Sequence, residues 1–229
     1  MSISVIIPAL NESESIGQVV SSMPWDVIAE CIVVDNGSTD GTAEVAVAAG
    51  ARAIYSSRGY GNACKAGSEA ALASSTILVF MDGDGSDIID DLSRLVAPIQ
   101  RNEADFVIGS RIRGRREPGS MLPSQIFAAH LVGLLLRLVQ GVSYTDMGPF
   151  RAIRRSSFEQ LQMSELTYGW NLEMQIKAAQ HKLRVFELPV NYRCRTGGVS
   201  KVSGNLHASF KAAVRIFGVF FRLGLSSRP

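Results

Sequence analysis

The 229-residue chain has few cysteines, little net charge and no long uninterrupted apolar run. Its three cysteines, Cys31, Cys64 and Cys194, lie far apart and form no Cys-x-x-Cys pair, which argues against a zinc site or a disulfide framework. The formal net charge is only +2, so the composition makes no case for a nucleic-acid partner. Hydrophobic residues make up 46% of the chain, which is ample for the core of one domain.

No targeting or membrane-spanning segment stands out. The apolar stretch 125–142 has only about the minimum length for a span and contains His130 and Arg137. The chain begins directly with a predicted strand, without a basic region or a long apolar run, so we expect no secretory signal and a cytoplasmic protein.

Short apolar runs alternate with helical patterns through the first half of the chain. Near-continuous apolar runs are typical of strands that are covered on both faces, so the pattern predicts an α/β fold with a mostly parallel sheet flanked by helices. Ligands then belong at the carboxyl ends of the strands. The predicted strands are 3–8, 31–35, 51–56, 77–81 and 106–108, and the predicted helices cover about 12–23, 40–49, 61–74 and 88–102.

The second half is less regular. It begins with a basic loop rich in glycine and proline and ends with an apolar helix that carries cations. The predicted order is a loop at 111–123, a helix at 125–139, a short strand at 148–153, a helix at 168–181, a strand at 183–190, a basic Gly-rich loop at 191–204 and a last helix at 206–223.

Two carboxylates one residue apart, Asp82 and Asp84, follow the apolar run that ends at Met81. Residues i and i+2 of an extended segment point to the same side, so both carboxylates can aim at one point. Hard cations such as Mg²⁺ and Mn²⁺ prefer oxygen ligands of this kind together with substrate phosphates. The run Asp-Gly-Asp-Gly is also ordinary turn composition, which leaves a turn without metal as the alternative.

Three further segments join this pair in a recognisable order: 4–12, ending in Pro-Ala-Leu-Asn-Glu; 32–42, with Asp-Asn-Gly-Ser-Thr-Asp-Gly; and 58–67, with Arg-Gly-Tyr-Gly-Asn. The set resembles a family-2 glycosyltransferase with the Rossmann-like GT-A fold, closely in the first half and more loosely in the second. The resemblance implies a catalytic domain at 1–204, divided into a nucleotide-sugar half (1–110) and an acceptor half (111–204). A C-terminal amphipathic helix, at a membrane interface or in a dimer, would cover 205–229.

The resemblance also implies the roles of individual residues in the first half. Asp82 and Asp84 would hold Mg²⁺ or Mn²⁺, with Asp84 as the direct ligand and Asp82 nearer the ribose and sugar. Related enzymes often carry Gln where this chain has Ser86, whose hydroxyl is a shorter and weaker ligand. The nucleotide-sugar-binding set would be Pro8, Ala9, Asn11, Glu12, Asp35, Gly37, Asp82 and Gly83. For Asp35 the competing interpretation is a turn with a helix cap.

Three segments of the second half, 109–111 (Gly-Ser-Arg), 146–151 (Asp-Met-Gly-Pro-Phe-Arg) and 195–204 (Arg-Thr-Gly-Gly-Val-Ser-Lys-Val-Ser-Gly), stand out. They resemble segments of polyprenyl-phosphate glycosyltransferases of the dolichyl-phosphate mannose synthase type. Guanidinium and ammonium groups suit a lipid monophosphate acceptor, which is already ionised and needs no strong base. The implied acceptor-phosphate residues are Ser110, Arg111, Arg151, Arg195, Ser200 and Lys201, and the implied catalytic set is Asp82, Asp84, Arg151 and Glu173. One departure from the family pattern is Gly148-Pro149, where Ser-Gly or Thr-Gly is usual. Glu173 is interpreted as a base or an orienting residue, with a surface helix Glu as the equal alternative.

The expected reaction is inverting, metal-assisted transfer of a hexose from a UDP- or GDP-sugar to a polyprenyl phosphate. A soluble or glycan hydroxyl acceptor and a non-catalytic nucleotide-sugar-binding module are the alternatives. We expect a peripheral protein at the inner face of the cell membrane, attached by its last helix, with the 125–139 helix as a further candidate contact and a homodimer as the rival use of the last helix. The aromatic residues assigned to the acyl boundary are Phe210, Phe217, Phe220 and Phe221, and the cations assigned to lipid phosphates are Lys211, Arg215 and Arg222.

Overall fold

A seven-stranded mixed sheet organises the protein, whose computed structural model describes residues 1–197, 214–215 and 218–224. The strand order is β3-β2-β1-β4-β6-β5-β7, and every pair is parallel except those of β6, which runs antiparallel to β4 and β5. The predicted mostly parallel sheet is therefore confirmed. The strands are β1 (Ser2–Ala9), β2 (Glu30–Asp35), β3 (Arg52–Tyr55), β4 (Ser75–Phe80), β5 (Phe106–Ser110), β6 (Arg151–Arg154) and β7 (Val185–Pro189).

Helices cover both faces of this sheet, which explains why its central strands are apolar at nearly every position. Side chains of β1 alternate between the two resulting cores: Val5 and Ile7 face one core, and Ile6 faces the other. The helices are α1 (Ser13–Ser21), α2 (Thr42–Ala48), α3 (Tyr60–Ala70), α4 (Leu92–Gln100), α5 (Pro123–Gln140), α6 (Arg155–Leu161) and α7 (Trp170–Gln180), and a single 3₁₀ turn (Ile89–Asp91) precedes α4.

The two cores divide the helices between them. Apolar residues of α1, α2 and α4 pack on one face of the sheet, and those of α3, α5, α6 and α7 pack on the other. The predicted loop at 111–123 is confirmed up to residue 122, and the strands and helices predicted between residues 3 and 190 are found within a few residues of their expected ends. The sequence pattern did not predict α6, a short helix of seven residues that follows β6 directly.

The described part of the C-terminal segment comprises residues 214–215 and 218–224, of which residues 219–223 pack onto the α7 face. Val219 and Phe220 are buried in that core, and Phe220–Gly224 forms a π-helical turn. The carbonyl of Leu223 accepts a hydrogen bond from Gln180 Nε2 at 2.8 Å. The assignment of Phe220 to a membrane is therefore wrong, because its ring is buried inside the protein. Phe210, Phe217 and Lys211 lie outside the described residues.

Within the described residues, no helix combines the length and the apolar character that crossing a membrane requires. The domain boundary at 204 falls outside the described residues and stays a prediction.

Candidate functional site

A cleft of about 580 Å³ opens at the carboxyl ends of β1, β2 and β4. This is the edge where the sequence predicted a ligand, because parallel strands deliver their following loops to one side. Loops from the second half of the chain close the opposite wall. The lining residues are Pro8, Ala9, Leu10, Glu12, Asn36, Arg58, Gly59, Tyr60, Asp82, Gly83, Asp84, Arg111, Gln125, Thr167, Tyr168, Tyr192, Arg195 and Arg215.

The loop after β4 holds Asp84 in a defined orientation. Oδ1 of Asp84 accepts a hydrogen bond from the Ser86 amide at 2.9 Å and another from the Ser86 hydroxyl, and Oδ2 accepts one from Arg195 Nη2 at 2.8 Å. Gly85 has a φ of +75°, and a Cβ there would overlap Thr196. Glycine at this position therefore permits both the turn and the close approach of the 191–197 segment.

Asp82 and Asp87 form a second part of the acidic site. The Asp82 amide donates to Asp87 Oδ2 at 3.1 Å, and Asp87 Oδ1 is buried without a hydrogen-bond partner in the described part of the chain. Burial, with the nearby charges of Asp84 and Asp87, raises the pKa of Asp82 well above its ordinary range. Burial and Asp84 likewise raise the pKa of Asp87 to about 7. The sequence analysis missed Asp87, although it is the third carboxylate in the run 82–87.

These carboxylates fit a divalent cation that is held jointly with a substrate. Asp82 and Asp84 offer carboxylate oxygens at the cleft wall, and the buried Oδ1 of Asp87 is a further acceptor without a hydrogen-bond partner in the described structure. Across the described ranges, no group of three or more His, Cys, Asp or Glu side chains is arranged to hold a metal by itself. Mg²⁺ and similar ions commonly use one or two protein carboxylates and complete their shell with water and substrate phosphates.

Arg111 is a fixed cation in the cleft wall. Its guanidinium binds Asp146 through two hydrogen bonds of 2.8 Å and lies 5.1 Å from the centre of the Tyr192 ring. Burial alone would raise the pKa of Asp146, but the hydrogen bonds and charge of Arg111 hold that pKa below its usual range. Arg111 therefore lines the cleft with its fork already engaged by a carboxylate, and its role at the acceptor phosphate stays a prediction.

Arg151 does not reach the cleft. It lies opposite Phe80 of β4 and Ile108 of β5 in the antiparallel ladders, so its side chain enters the core beneath α7. The guanidinium is fully buried, donates to the carbonyls of Gly148 and Asn171, and has a pKa that burial lowers to about 10. The sequence analysis assigns Arg151 to the acceptor phosphate and to the catalytic set, whereas the structure places its side chain in the core.

Glu173 is also buried and does not line the cleft, so it is neither a surface residue nor a base in contact with the cleft. Its carboxylate accepts hydrogen bonds from the amides of Ser164 and Glu165 and lies 2.9 Å from Lys177 Nζ. Burial would raise the pKa of Glu173, but these hydrogen bonds lower it overall. Glu173 thus fixes the loop that carries Thr167 and Tyr168 into the cleft.

The remaining predicted residues divide between the cleft and the structure behind it. Pro8, Ala9, Glu12, Gly83 and Arg195 line the cleft. Outside its lining lie Asn11, Asp35, Gly37 and Ser110, while Ser200 and Lys201 fall outside the described residues.

Asp35 and Asn11 hold the loop behind the cleft. Asp35 Oδ1 accepts from the Ser38 amide at 2.8 Å, and Asn11 Oδ1 accepts from the Thr39 amide at 2.9 Å. The neighbouring Asn36 lines the cleft instead and accepts from the Gly59 amide at 3.0 Å. The geometry thus agrees with the turn interpretation of Asp35, and its contact with a nucleotide stays a prediction.

Several cleft residues received no site role in the sequence analysis: Asn36 and Tyr60, which stand within its motifs, and Gln125, Thr167, Tyr168 and Tyr192. Arg58 was noted there only as part of a loop, and Arg215 only as a membrane cation. Within residues 1–197, 214–215 and 218–224, neither of these two guanidiniums forms a hydrogen bond or an ion pair. No periodic pattern marks such residues, because loops distant in sequence bring them together.

Comparison with known proteins agrees with this geometry. The chain is 37% identical over 220 residues to an uncharacterized glycosyltransferase of Mycobacterium bovis, covering 95% of this chain and 97% of that protein. It is 32% identical over 232 residues to the polyprenol monophosphomannose synthase of Mycolicibacterium smegmatis, covering 91% of this chain and 84% of the synthase.

A solved structure shares the fold. Glucosyl-3-phosphoglycerate synthase of Mycobacterium tuberculosis, in complex with Mn²⁺ and UDP-glucose, matches with a TM-score of 0.73 and 24% identity, covering 99% of this chain and 80% of that one. This likeness confirms the predicted GT-A fold. The family model described as glycosyl transferase family 2 matches residues 4–162. The chain therefore belongs to glycosyl transferase family 2 and is a nucleotide-sugar-dependent glycosyltransferase.

Proposed function

We propose that the protein transfers a hexose, with inversion, from a UDP- or GDP-sugar to a polyprenyl phosphate, assisted by Mg²⁺ or Mn²⁺. One observation carries the proposal: a single cleft contains the carboxylates of Asp82 and Asp84 together with the guanidiniums of Arg58 and Arg215, which make no ion pair in the described structure. Carboxylates suit a cation on a diphosphate, and unpaired guanidiniums suit the phosphates of two substrates.

The donor belongs to the wall built by the first half of the chain. Pro8, Ala9 and Asn36 offer a surface at the ends of β1 and β2 for the nucleoside. Asp84 and Asp82 would hold the cation, which neutralises charge on the departing diphosphate. Binding of Mn²⁺ and UDP-glucose by the solved synthase supports this arrangement.

The acceptor belongs to the wall built by the second half. Gln125, Thr167, Tyr168 and Arg215 line it. A phosphate oxygen of the acceptor attacks the anomeric carbon as the bond to the diphosphate breaks, which inverts the configuration and releases UDP or GDP. A phosphate is already ionised, so the reaction needs no general base, which agrees with the burial of Glu173. The name of the Mycolicibacterium smegmatis relative supports a polyprenyl acceptor.

A small soluble acceptor is the second candidate, because the solved synthase is named for a phosphoglycerate product. Both candidates present an anionic group to the same cations. A panel of UDP- and GDP-sugars with polyprenyl phosphate in one arm and phosphoglycerate in the other separates them. Release of nucleotide only with phosphoglycerate would contradict the lipid acceptor.

We further propose that α5 faces a membrane at the cytoplasmic side. Its outer side exposes Phe127, Leu134 and Leu138, which are 69%, 53% and 72% accessible, and Phe221 beside it is 62% accessible. An apolar helix side of this kind can lie in a bilayer interface without crossing it. A second copy of the chain is the rival occupant.

Flotation with anionic liposomes tests the membrane contact. Leu138→Glu combined with Phe127→Glu should abolish flotation, because charges enter the acyl boundary poorly. Val47→Glu is the matched control, since Val47 is exposed on α2 on the opposite side of the sheet. Unchanged flotation of the double variant, with dissociation of a dimer in solution, would establish the rival instead.

A further inference from the structure

The contact between Arg195 and Asp84 uses the carboxylate oxygen that a cation would need. Oδ1 of Asp84 is engaged inside its own loop by the amide and hydroxyl of Ser86. Oδ2 is the oxygen left for the cleft, and it accepts from Arg195 Nη2 at 2.8 Å. The guanidinium therefore stands at the outward face of the predicted metal ligand.

Only half of the Arg195 fork is satisfied. Nη1 lies 4.0 Å from Glu12 Oε1, is buried, and has no hydrogen-bond partner in the described part of the structure. A guanidinium binds best when two parallel N–H groups meet two oxygens of one carboxylate or phosphate. Arg195 consequently has capacity for a better partner than Asp84 offers in this position.

The backbone around Arg195 is held independently of its side chain. The Thr196 amide donates to the Asp84 carbonyl at 3.0 Å, and the Arg193 amide donates to the Ser86 carbonyl at 3.1 Å. A change of partner by Arg195 therefore requires rotation of the side chain alone, while the 191–197 segment stays in place.

We propose that Arg195 and the divalent cation are alternative partners of Asp84, and that the cation releases Arg195 to a substrate phosphate. Two positive groups at one carboxylate oxygen repel each other, so the cation binds Asp84 at the expense of the guanidinium. The released fork then pairs with a phosphate in the same cleft. This inference rests on the proposed metal-assisted reaction and adds a competition that the reaction itself does not require.

Mn²⁺ binding without nucleotide, measured by electron paramagnetic resonance of the free ion, tests the competition. Arg195→Met should bind Mn²⁺ about tenfold more tightly than the natural protein, because one charge-assisted contact no longer opposes the ion. Arg58→Met is the matched control: it removes one positive charge from the same cleft but has no ion pair with Asp84. It should change Mn²⁺ affinity about threefold at most. Arg195→Gln supplies a second variant if the Met variant fails to fold.

Binding of the phosphate ligands at saturating Mn²⁺ tests whether the cation releases Arg195. The same Arg195→Met variant should then lose about tenfold in affinity for one of the two phosphate ligands. The loss concerns UDP or GDP if the released guanidinium binds the donor diphosphate, and polyprenyl phosphate if it binds the acceptor. Tighter Mn²⁺ with weaker phosphate is an opposite pair of effects that a merely structural residue would not produce.

Three results would overturn the inference. Mn²⁺ affinity that is equal in the Arg195 and Arg58 variants rules out the competition, and unchanged affinity for both phosphates rules out the release. Absence of both Mn²⁺ and Mg²⁺ binding by the natural protein, even with UDP or GDP present, rules out the proposed metal assistance and the competition with it. In the first two cases the proposed glycosyl transfer still stands.

Discussion

Asp84 and Arg151 both occupy the edge of the sheet where the cleft opens, yet only one of them reaches it. Asp84 follows the carboxyl end of β4, and Arg151 begins the antiparallel strand β6, whose start lies at the same edge. Asp84 stands in a loop beyond the last ladder pair, so its carboxylate can turn outward. Arg151 is still paired with Phe80 and Ile108, so its side chain must follow the pleat into the core.

The same difference separates the two halves of the site. Residues of the first half leave the sheet through short loops directly after β1, β2 and β4. In the second half, Arg111 also directly follows a strand, β5. The other residues there that reach the cleft come from the long connection 162–169, from α5, from the segment after β7 or from the C-terminal segment. A strand end therefore indicates at which edge of the sheet a residue lies. Its side chain can reach the ligand only if the residue also lies beyond the last paired position of the β-ladder.

The largest effect that this comparison predicts comes from Asp84→Ala. Loss of the outward carboxylate should lower kcat/KM by about 100-fold or more, since a Lewis acid contributes several kcal/mol to such a reaction. Calorimetry of UDP or GDP binding with and without the divalent cation checks whether loss of the metal ligand is the cause. Asp90→Ala is the control, because Asp90 is an exposed carboxylate outside the cleft. Nucleotide binding with undiminished metal dependence would exclude Asp84 as a ligand.

Arg151→Met should act on stability rather than on substrate affinity. Each buried carbonyl that loses its partner costs about 1–3 kcal/mol, and the guanidinium serves those of Gly148 and Asn171. We expect a loss of about 3 kcal/mol in the free energy of unfolding, measured in urea, with KM for both substrates little changed. A stable variant with a strongly raised acceptor KM would restore Arg151 to the phosphate site.

Arg215→Ala should raise KM for polyprenyl phosphate about tenfold or more, because one charge-assisted phosphate contact is removed. Donor affinity should stay nearly constant, since Arg215 comes from the C-terminal segment and not from the strand-end loops assigned to the donor. Arg101→Ala, at an exposed position outside the cleft, is the control. Equal losses for donor and acceptor would show that Arg215 shapes the whole cleft instead of the acceptor wall.

The sequence predicted the fold well because the features that define it are local. Apolar runs and turn residues identify β1, β2 and β4, and the Asp82–Asp84 spacing identifies the loop that follows β4. It could not show that Glu173 is buried, because its partners Ser164 and Glu165 belong to a loop with no periodic pattern. Nor could it place Arg215 in the cleft, since Arg215 lies there beside residues more than 100 positions away in the sequence, such as Arg58 and Asp82. Contacts between distant segments carry this information.

The smallest predicted effect concerns Asp87, the carboxylate that the sequence analysis missed. Burial raises the pKa of Asp87 from 3.8 to about 7, so the folded protein binds a proton more tightly than the unfolded chain. Stability therefore falls as pH rises between these two values, and the full penalty is present above about 7. Asp87→Asn keeps an oxygen for the Asp82 amide but cannot ionise. In EDTA it should raise Tm at about pH 8 and change it little at about pH 4. Asp90→Asn, at an exposed position, should show no such difference between the two pH values. If Asp87→Asn raises Tm equally at both pH values, the substitution relieves unfavourable packing and not the cost of ionising Asp87.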